Sequence, residues 1–353
     1  MKSIQVQAGP SRHQVLIGRG LLEQTGSLVR PLFRAKSCAL IADPAVAPLF
    51  GDQVARSLCE AGFAPEILAV PGGEAAKTMS QAAVLCEQMS FAGLDRSSFV
   101  LSLGGGVIGD LAGFVAAIFL RGIPYVSIPT TLLAQIDSCI GGKTGVNSAA
   151  GKNLIGAFHH PALVLADTDT LRTLPERIWN QGFAEAIKHA IIRDAGLLDL
   201  VNRVDRHDPS EFIARNLAIK ATIVSADEQE RVGTRSLLNF GHTIGHAIEY
   251  ASDYRMLHGE AISLGIVAAV HVSVRRAGLS LGEAERIVAV LRGRQLPTAL
   301  PENFPREKIF DAVVRDKKFK GGRIRFVVAH DIGRASVSGD VTMDDLRAAV
   351  EAL

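Results

Sequence analysis

Cysteine is scarce in this sequence and scattered: Cys38, Cys59, Cys86 and Cys139 among 353 residues, with no C-x-x-C. Such spacing excludes a zinc ribbon, a redox dithiol and a disulfide framework, and fits reduced thiols in the cytoplasm. Excess charge of either sign is missing too. Against 38 basic residues stand 36 acidic ones, a net charge of +2, so bulk electrostatics make no case for nucleic acid or membrane as a partner. The longest hydrophobic run, 111–120, falls well short of the ~20 residues a membrane helix needs. A basic-then-apolar leader is lacking, as are repeats, low-complexity tracts and long charge runs. The expectation is a soluble cytoplasmic protein whose function resides in local sites. Its length exceeds one typical core and suggests two domains.

From about Cys38 strand-like and helix-like patterns alternate. C-A-L-I-A ends at Asp43, and 48–62 reads as a helix closed by Gly62. E-I-L-A-V is cut off by P-G-G, and 78–92 reads as a second helix. S-F-V-L-S-L runs into Gly104-Gly105-Gly106 and an apolar helix, and Y-V-S-I ends at Pro129. This rhythm calls for a parallel sheet with helices on both faces, preceded by a hairpin of K-S-I-Q-V-Q and H-Q-V-L-I-G. After about Thr170 the segments become long and helix-periodic, with few β-branched runs before F-V-V-A near the end. The predicted fold class is α/β plus all-α: a parallel-sheet domain over 1–169 and a helical domain over 170–353.

The second half carries the densest chemistry, in R-S-L-L-N-F-G-H-T-I-G-H-A-I-E-Y-A-S-D-Y-R-M-L-H-G-E over 235–260. Read as a helix, this stretch places Arg235, Asn239, His242, His246 and Glu249 on one face. Apolar residues take up most of the remaining girth, so the helix should be buried with its polar stripe facing an internal cavity. Buried polar groups need partners, and a metal with an anionic substrate would satisfy the histidines and the arginine together. His258 offers a third imidazole after a short loop. For any one histidine, a hydrogen-bonded core position is the plainer alternative. Two histidines four apart, with a third beyond a turn, strengthen the case for a metal. Thr243 follows His242 where an H-E-x-x-H protease has its glutamate, which argues against that class.

Three further segments could carry chemistry. Gly104-x-Gly106-x-x-Gly109 matches the dinucleotide fingerprint between a strand and a helix, although it follows the third strand of the unit and has Pro129 where an acid is wanted. Backbone N–H groups at a helix start favour phosphate, so a nucleotide pyrophosphate is expected there. The segment G-G-K-T-G with Gly151-Lys152-Asn153 puts two lysines among glycines near Asp137 and Ser138. Asp137 stands where a P-loop needs glycine, which disfavours ATP binding by that device. A phosphate-bearing site is preferred there over a mobile surface loop. Glu185 and Lys188 share a face of a mostly apolar helix, which favours burial over a solvated couple. Glu185 with His242 and His258 would make a two-histidine, one-carboxylate set with a metal position left open. Lys220, Lys317 and Lys318 are individually uninformative.

Together, P-G-G-E-A-A-K (71–77), L-G-G-G-V-I-G-D-L-A-G-F (103–114), R-G-I-P (121–124), P-T-T-L-L-A-Q-I-D-S (129–138), G-G-K-T-G-V-N (141–147) and G-K-N-L-I-G-A-F (151–158) resemble the 3-dehydroquinate synthase family. T-L-P-E-R (173–177), A-E-A-I-K (184–188), L-L-N-F-G-H-T-I-G-H-A-I-E (237–249), L-H-G-E-A (257–261) and R-D-K-K (315–318) continue the match over nearly the whole chain. The resemblance implies a Rossmann-like domain followed by a helical one, usually in a homodimer. It implies NAD and a divalent metal, zinc or cobalt, as cofactors. The implied reaction converts 3-deoxy-D-arabino-heptulosonate 7-phosphate to 3-dehydroquinate and phosphate in the shikimate pathway of aromatic amino acid biosynthesis.

By resemblance, Glu185, His242 and His258 are the metal ligands. The residues implied to hold NAD are Asp43, Gly72, Gly73, Glu74, Lys77, Gly105, Gly106, Val107, Asp110, Thr130, Thr131 and Leu133. Lys143, Lys152, Thr170, Leu171, Arg172 and Thr173 join them. Those implied at the substrate, or at the cofactor close to it, are Arg121, Asp137, Lys143, Lys152, Asn153, Lys188, Lys220, Arg235, Asn239, His246 and Lys317. Two departures from the family pattern bear on the approach of His258. The stretch between His246 and His258 is one residue shorter, and 250–256 lacks a glycine often found before L-H-G-E.

The implied chemistry makes sense of this set. Oxidising the C5 hydroxyl acidifies the proton at C6 and lets phosphate leave. Reduction then returns the hydride, the ring opens, and an intramolecular aldol closes the carbocycle. A metal on the hydroxyls lowers the alcohol pKa, while lysines, Arg121, Asn153 and His246 can hold phosphate and carboxylate. The leaving phosphate can itself take the C6 proton. Two other readings compete. Metal-dependent polyol dehydrogenases resemble this fold and share the triple glycine and threonine pair, but a neutral polyol needs no clamp of lysines with Arg235 and Asn239. A non-catalytic NAD-binding regulator would leave the metal set unexplained.

Overall fold

The computed structural model of the chain describes residues 1–149, 151–315, 319–320 and 323–353; Lys317 and Lys318 lie outside these described residues. Two compact units emerge. Unit 1 comprises Met1–Leu174 with Arg206–Ser225, and unit 2 comprises Pro175–Asp205 with Ala226–Leu353. The second segment of unit 1 comes from the part of the sequence that reads as helical. Periodicity marks a helix but not the unit on which it packs.

In chain order the strands of unit 1 are β1 (Lys2–Ala8), β2 (Ser11–Gly18), β3 (Ser37–Ala42), β4 (Ala64–Ala69), β5 (Phe99–Gly104), β6 (Tyr125–Pro129), β7 (Lys143–Ser148), β8 (Gly151–Phe158) and β9 (Leu163–Asp167). Seven of them form one sheet in the order β1-β2-β9-β6-β5-β3-β4. The sheet is parallel except for β1, which makes the expected hairpin with β2. Strands β5, β6 and β9 are buried throughout, as continuous apolar runs covered on both faces should be. One face packs Leu85, Met89, Ile108 and Val115; the other packs Leu22, Val29, Leu58 and Phe99.

Taken by chain order, the run β4-β3-β5-β6-β9 reads second, first, third, fourth, fifth. The direction of winding therefore reverses between β3 and β5. Ligands of such sheets bind outside the carboxyl ends of the strands at that switch point. Asp43 follows β3 and the glycine turn follows β5, so both stand there. The fingerprint after the third strand thus lies at the switch point. The lysine-bearing segment is a hairpin of β7 with β8.

The helices in chain order are α1 (Thr25–Val29), α2 (Asp52–Glu60), α3 (Met79–Phe91), α4 (Gly106–Ile118), α5 (Glu176–Arg193), α6 (Ala195–Val201), α7 (Ser210–Ala226), α8 (His242–Ala251), α9 (His258–Ala277), α10 (Leu281–Gly293), α11 (Arg306–Arg315) and α12 (Met343–Glu351). Thr78 starts α3 as expected, its hydroxyl accepting the Gln81 N–H at 3.2 Å in an N-cap. Unit 2 is mostly helical but also holds a three-stranded antiparallel sheet of β10 (Phe319–Lys320), β11 (Arg323–Asp331) and β12 (Arg334–Val341). F-V-V-A lies within β11.

The stretch 235–260 is not one helix. Thr234–Asn239 is a 3-10 turn, α8 begins only at His242, and α9 begins at His258. Gly241 makes the break with φ 78°, a conformation that favours glycine. The backbone of α9 passes so close that a Cβ there would lie 2.9 Å from the Ile266 nitrogen. Only His242, His246 and Glu249 therefore share the α8 face; Arg235 and Asn239 stand on the turn before it.

Candidate active site

In unit 2, α5 supplies Glu185, α8 supplies His242 and α9 supplies His258. Glu185 Oε1 lies 3.2 Å from His242 Nε2 and 3.1 Å from His258 Nε2. One ligand atom from each of the three falls within 4.8 Å of the others. Glu185 is 1% exposed, and its Oε2 is 2.5 Å from Lys188 Nζ, one helical turn on. Burial pushes this carboxyl up, but Lys188 and His242 with both imidazole hydrogen bonds hold it well below the ordinary range. Burial also lowers His242, against the pull of Glu185. For His258, burial is outweighed by hydrogen bonds to Glu185 and Glu249, and the imidazole is pushed up to about 10. His258 thus lies between two buried carboxylates, while Lys188 supplies positive charge to Glu185.

The donor set suits a divalent ion with a position left open, one carboxylate and two imidazoles being a familiar zinc arrangement. Each imidazole presents Nε2 inward while its Nδ1 is engaged: His242 with the Phe240 carbonyl at 3.1 Å, His258 with Glu249 Oε2 at 3.2 Å. His246 is exposed on α8, its ring centroid 5.1 Å from that of His242. A second grouping, His246 with Glu249 and His258, also has ligand atoms within 4.8 Å.

The L-H-G-E segment shows how His258 arrives there. Glu260 accepts the Leu257 N–H at 3.0 Å and is held by Arg177 of α5, Nε to Oε1 at 2.6 Å and Nη2 to Oε2 at 2.8 Å. Gly259 lets the two backbones approach, since a Cβ there would lie 2.0 Å from the Gln181 carbonyl oxygen. The first turn of α9 is thereby seated on α5, one turn from Glu185. T-L-P-E-R and L-H-G-E form one device, which the sequence reading missed because its halves are far apart in the chain.

Arg235 is buried at 3% exposure, and its Nη1 donates to the Glu228 carbonyl. Asn239 Nδ2 donates to Glu230 Oε1 at 3.0 Å. Asp227 gathers the N–H groups of Arg231, Val232, Gly233 and Arg235. Burial opposes its charge, yet these donors lower its carboxyl to about 2. This acidic segment was also missed; its signal is D-E-x-E just ahead of Arg235.

In unit 1 the glycine turn leads directly into a helix start. Gly105 begins α4 without a side-chain cap, leaving first-turn N–H groups for a ligand. A Cβ would meet Thr131 Cγ2 at 3.2 Å from Gly105 and Ser138 Oγ at 3.0 Å from Gly106. Thr130 N–H donates to the Gly104 carbonyl at 2.9 Å, with Val107 and Leu133 half-buried nearby in the chain. Lys77, 3% exposed, pairs with Asp110 Oδ2 at 2.5 Å and with Asn153 Oδ1. Burial pushes the Asp110 carboxyl up against that lysine's pull.

Asn147 ties these groups together and was assigned no role from sequence. It donates to Glu74 Oε1 at 2.7 Å and accepts the Asn153 N–H at 2.9 Å, while Lys152 Nζ stands 3.8 Å from Glu74. Gly72 and Gly73 are exposed before it. Lys143 lines a depression with Gly105, Asp110 and Ser138. Lys220 on α7 reaches Asp137, 2.7 Å from its carbonyl oxygen and 3.1 Å from Oδ2. Thr170, Leu171, Arg172 and Thr173 follow β9 on the same sheet edge, two strands or ~10 Å from β5. Thr170 Oγ1 accepts from Gln135 Nε2 at 3.2 Å. Arg121 is not brought to this edge: α4 carries it ~20 Å from the glycine turn, where it is exposed with φ 72°.

The family model described as 3-dehydroquinate synthase N-terminal matches residues 67–181, and that described as 3-dehydroquinate synthase C-terminal matches 182–319. The chain is 46% identical to a 3-dehydroquinate synthase of Symbiobacterium thermophilum, covering 99% of each. Among solved structures, 2-deoxy-scyllo-inosose synthase complexed with carbaglucose-6-phosphate, NAD+ and Co2+ superposes with a TM-score of 0.91 at 25% identity, covering 99% of this chain and 100% of that one. A 2-epi-5-epi-valiolone synthase from Streptomyces hygroscopicus with NAD+ and Zn2+ bound gives 0.88 at 28%, covering 99% and 98%.

Proposed function

From the premise that this chain belongs to the 3-dehydroquinate synthase family, we propose that it converts 3-deoxy-D-arabino-heptulosonate 7-phosphate to 3-dehydroquinate and phosphate. The cofactors are NAD and a divalent metal. The observation that carries the proposal is the convergence of Glu185, His242 and His258 on one point beside Lys188. The glycine turn at the switch point supports the nucleotide.

When bound, NAD takes up and returns a hydride, and the metal ion polarises the substrate hydroxyls. Glu185, His242 and His258 would hold the ion, leaving His246 for substrate. Lys188 keeps positive charge at Glu185 in a buried setting. Arg235 and Asn239 recognise the carboxylate, and Lys143, Lys152 and Asn153 recognise phosphate, with Asp137, Lys220 and Lys317 completing the set; Arg121, which α4 carries away from this edge, takes no part in it. Asp43, Glu74, Lys77, Asp110, Thr130 and Thr131 position the nucleotide over the glycine cradle, with Thr170 to its side. Phosphate is eliminated with cleavage of a carbon–oxygen bond, which makes the enzyme a lyase.

The finer readings belong to the same proposal: zinc or cobalt as the ion, a homodimer, and the cytoplasm as its place. Among the described residues no helix is long and apolar enough to cross a membrane. The test is to incubate protein, metal and heptulosonate phosphate with NAD far below substrate and to follow phosphate. Many turnovers without net reduced cofactor are expected. Reduced cofactor accumulating in step with substrate loss would point instead to a dehydrogenase.

A further inference from the structure

We propose that Glu249 is a positioning residue for the metal site: its carboxylate fixes the ring and tautomer of His258 so that Nε2 meets Glu185 and His242. The inference rests on the metal reading above and goes one shell beyond it. Glu249 is carried on α8, 2% exposed, with Oε2 3.2 Å from His258 Nδ1. The opposite ring nitrogen of the same imidazole lies 3.1 Å from Glu185 Oε1. His258 is thus spanned between two buried carboxylates, one for each nitrogen.

A histidine ligates a metal as neutral imidazole, through the nitrogen that carries no proton. With Nε2 turned towards Glu185 as the atom that would ligate, the ring N–H belongs on Nδ1, which lies 3.2 Å from Glu249 Oε2. An outer carboxylate of this kind orients the ligand ring and raises its basicity. His242 is held in the same sense but by the neutral Phe240 carbonyl at 3.1 Å, so the two histidines are supported unequally. Charge reinforces the assignment. Lys188 already offsets Glu185, so a divalent ion held there would call for further negative charge, which Glu249 would supply without occupying a coordination position.

The backbone around Glu249 makes that orientation stiff. Its carbonyl accepts the Tyr254 N–H at 2.9 Å and the Ser252 hydroxyl at 2.8 Å, closing the turn in which Asp253 and Tyr254 take positive φ of 52° and 57°. The residue that faces His258 therefore also anchors the short connection leading to it.

The competing arrangement makes Glu249 itself a ligand, with His246 and His258 through Nδ1, since those atoms also lie within 4.8 Å of one another. Zinc affinity measured by chelator competition, together with the visible spectrum of the cobalt-loaded protein, separates the two. The variants are Glu249→Gln, Glu249→Ala and Glu185→Ala, each checked for wild-type circular dichroism. Glutamine can still accept from Nδ1, so Glu249→Gln should bind one metal ion within a few-fold of wild type and keep the cobalt band pattern. Glu249→Ala should weaken zinc about 10- to 100-fold, and Glu185→Ala should lose it. Wild-type affinity in Glu249→Ala would overturn the positioning role. Loss in Glu249→Gln as complete as in Glu185→Ala would make Glu249 a ligand and overturn it equally. Should wild type itself bind no divalent ion, the metal reading falls, and this inference with it.

Discussion

Gly259→Ala puts the seating of α9 on α5 to a direct test. A Cβ at this position would lie 2.0 Å from the Gln181 carbonyl oxygen and 2.7 Å from its carbon, whereas ordinary contact begins at 3.4 Å. The obstruction is backbone, so no side chain can swing away. One helix must retreat by roughly an ångström, and overpacking of this kind costs about 1–3 kcal/mol. Metal–ligand distances tolerate only about 0.2 Å. His258 neighbours the substituted residue, and Glu185 lies one turn from Gln181, so the retreat separates two ligands directly. The assay is thermal or denaturant unfolding with and without zinc. At a zinc concentration 100 times its Kd, wild type should gain about 2.7 kcal/mol. A tenfold loss of affinity would reduce that gain to about 1.4 kcal/mol at the same concentration. Gly282→Ala is the control: a Cβ there meets nothing within 4 Å, and within a helix the change should be neutral or stabilise by up to ~1 kcal/mol. A Gly259→Ala protein with wild-type stability and zinc affinity would refute the reasoning.

His242→Ala should abolish both metal binding and activity, whereas His246→Ala should lose activity and keep the metal; equal metal loss in both would contradict the ligand set. NAD should be required but never consumed, which a phosphate assay run alongside reduced-cofactor absorbance will read. Arg235→Ala should cost about 1.5–3 kcal/mol of carboxylate recognition and narrow selectivity for the heptulosonate over sedoheptulose 7-phosphate; comparable wild-type turnover of the neutral sugar would count against the proposed substrate. Asp227 has its carboxyl lowered to about 2, from about 3.9 unfolded. Its contribution to stability is therefore full above the unfolded value and lost as pH falls through the folded one. Denaturant titrations should show Asp227→Asn less stable than wild type at neutral pH, with the gap closing in acid; a gap independent of pH would argue against the charge.

The layout of unit 1 was legible because buried parallel strands are continuous apolar runs, and each ends at a turn signal: Asp43, P-G-G, the triple glycine, Pro129. The Glu185–Lys188 pair was legible because an apolar helix has nowhere else to put its charges. The resemblance supplied the ligand roles of Glu185, His242 and His258. The sequence could not reveal the break before His242. Helical spacing continues across it, and only the passage of α9 against Gly241 forces the left-handed turn that separates Arg235 and Asn239 from the histidines. Likewise, glycines and lysines at 141–153 carry no strand period strong enough to announce a hairpin; β7 and β8 are strands because each pairs with the other. Nor could periodicity place α7 with the sheet unit. The ties from Arg177 to Glu260 and from Glu249 to His258 were also hidden, since their value lies in which helices meet. Local pattern determined which residues could carry chemistry. Tertiary packing decided which nitrogen of His258 points inward, because that depends on two carboxylates from two different helices closing on one ring.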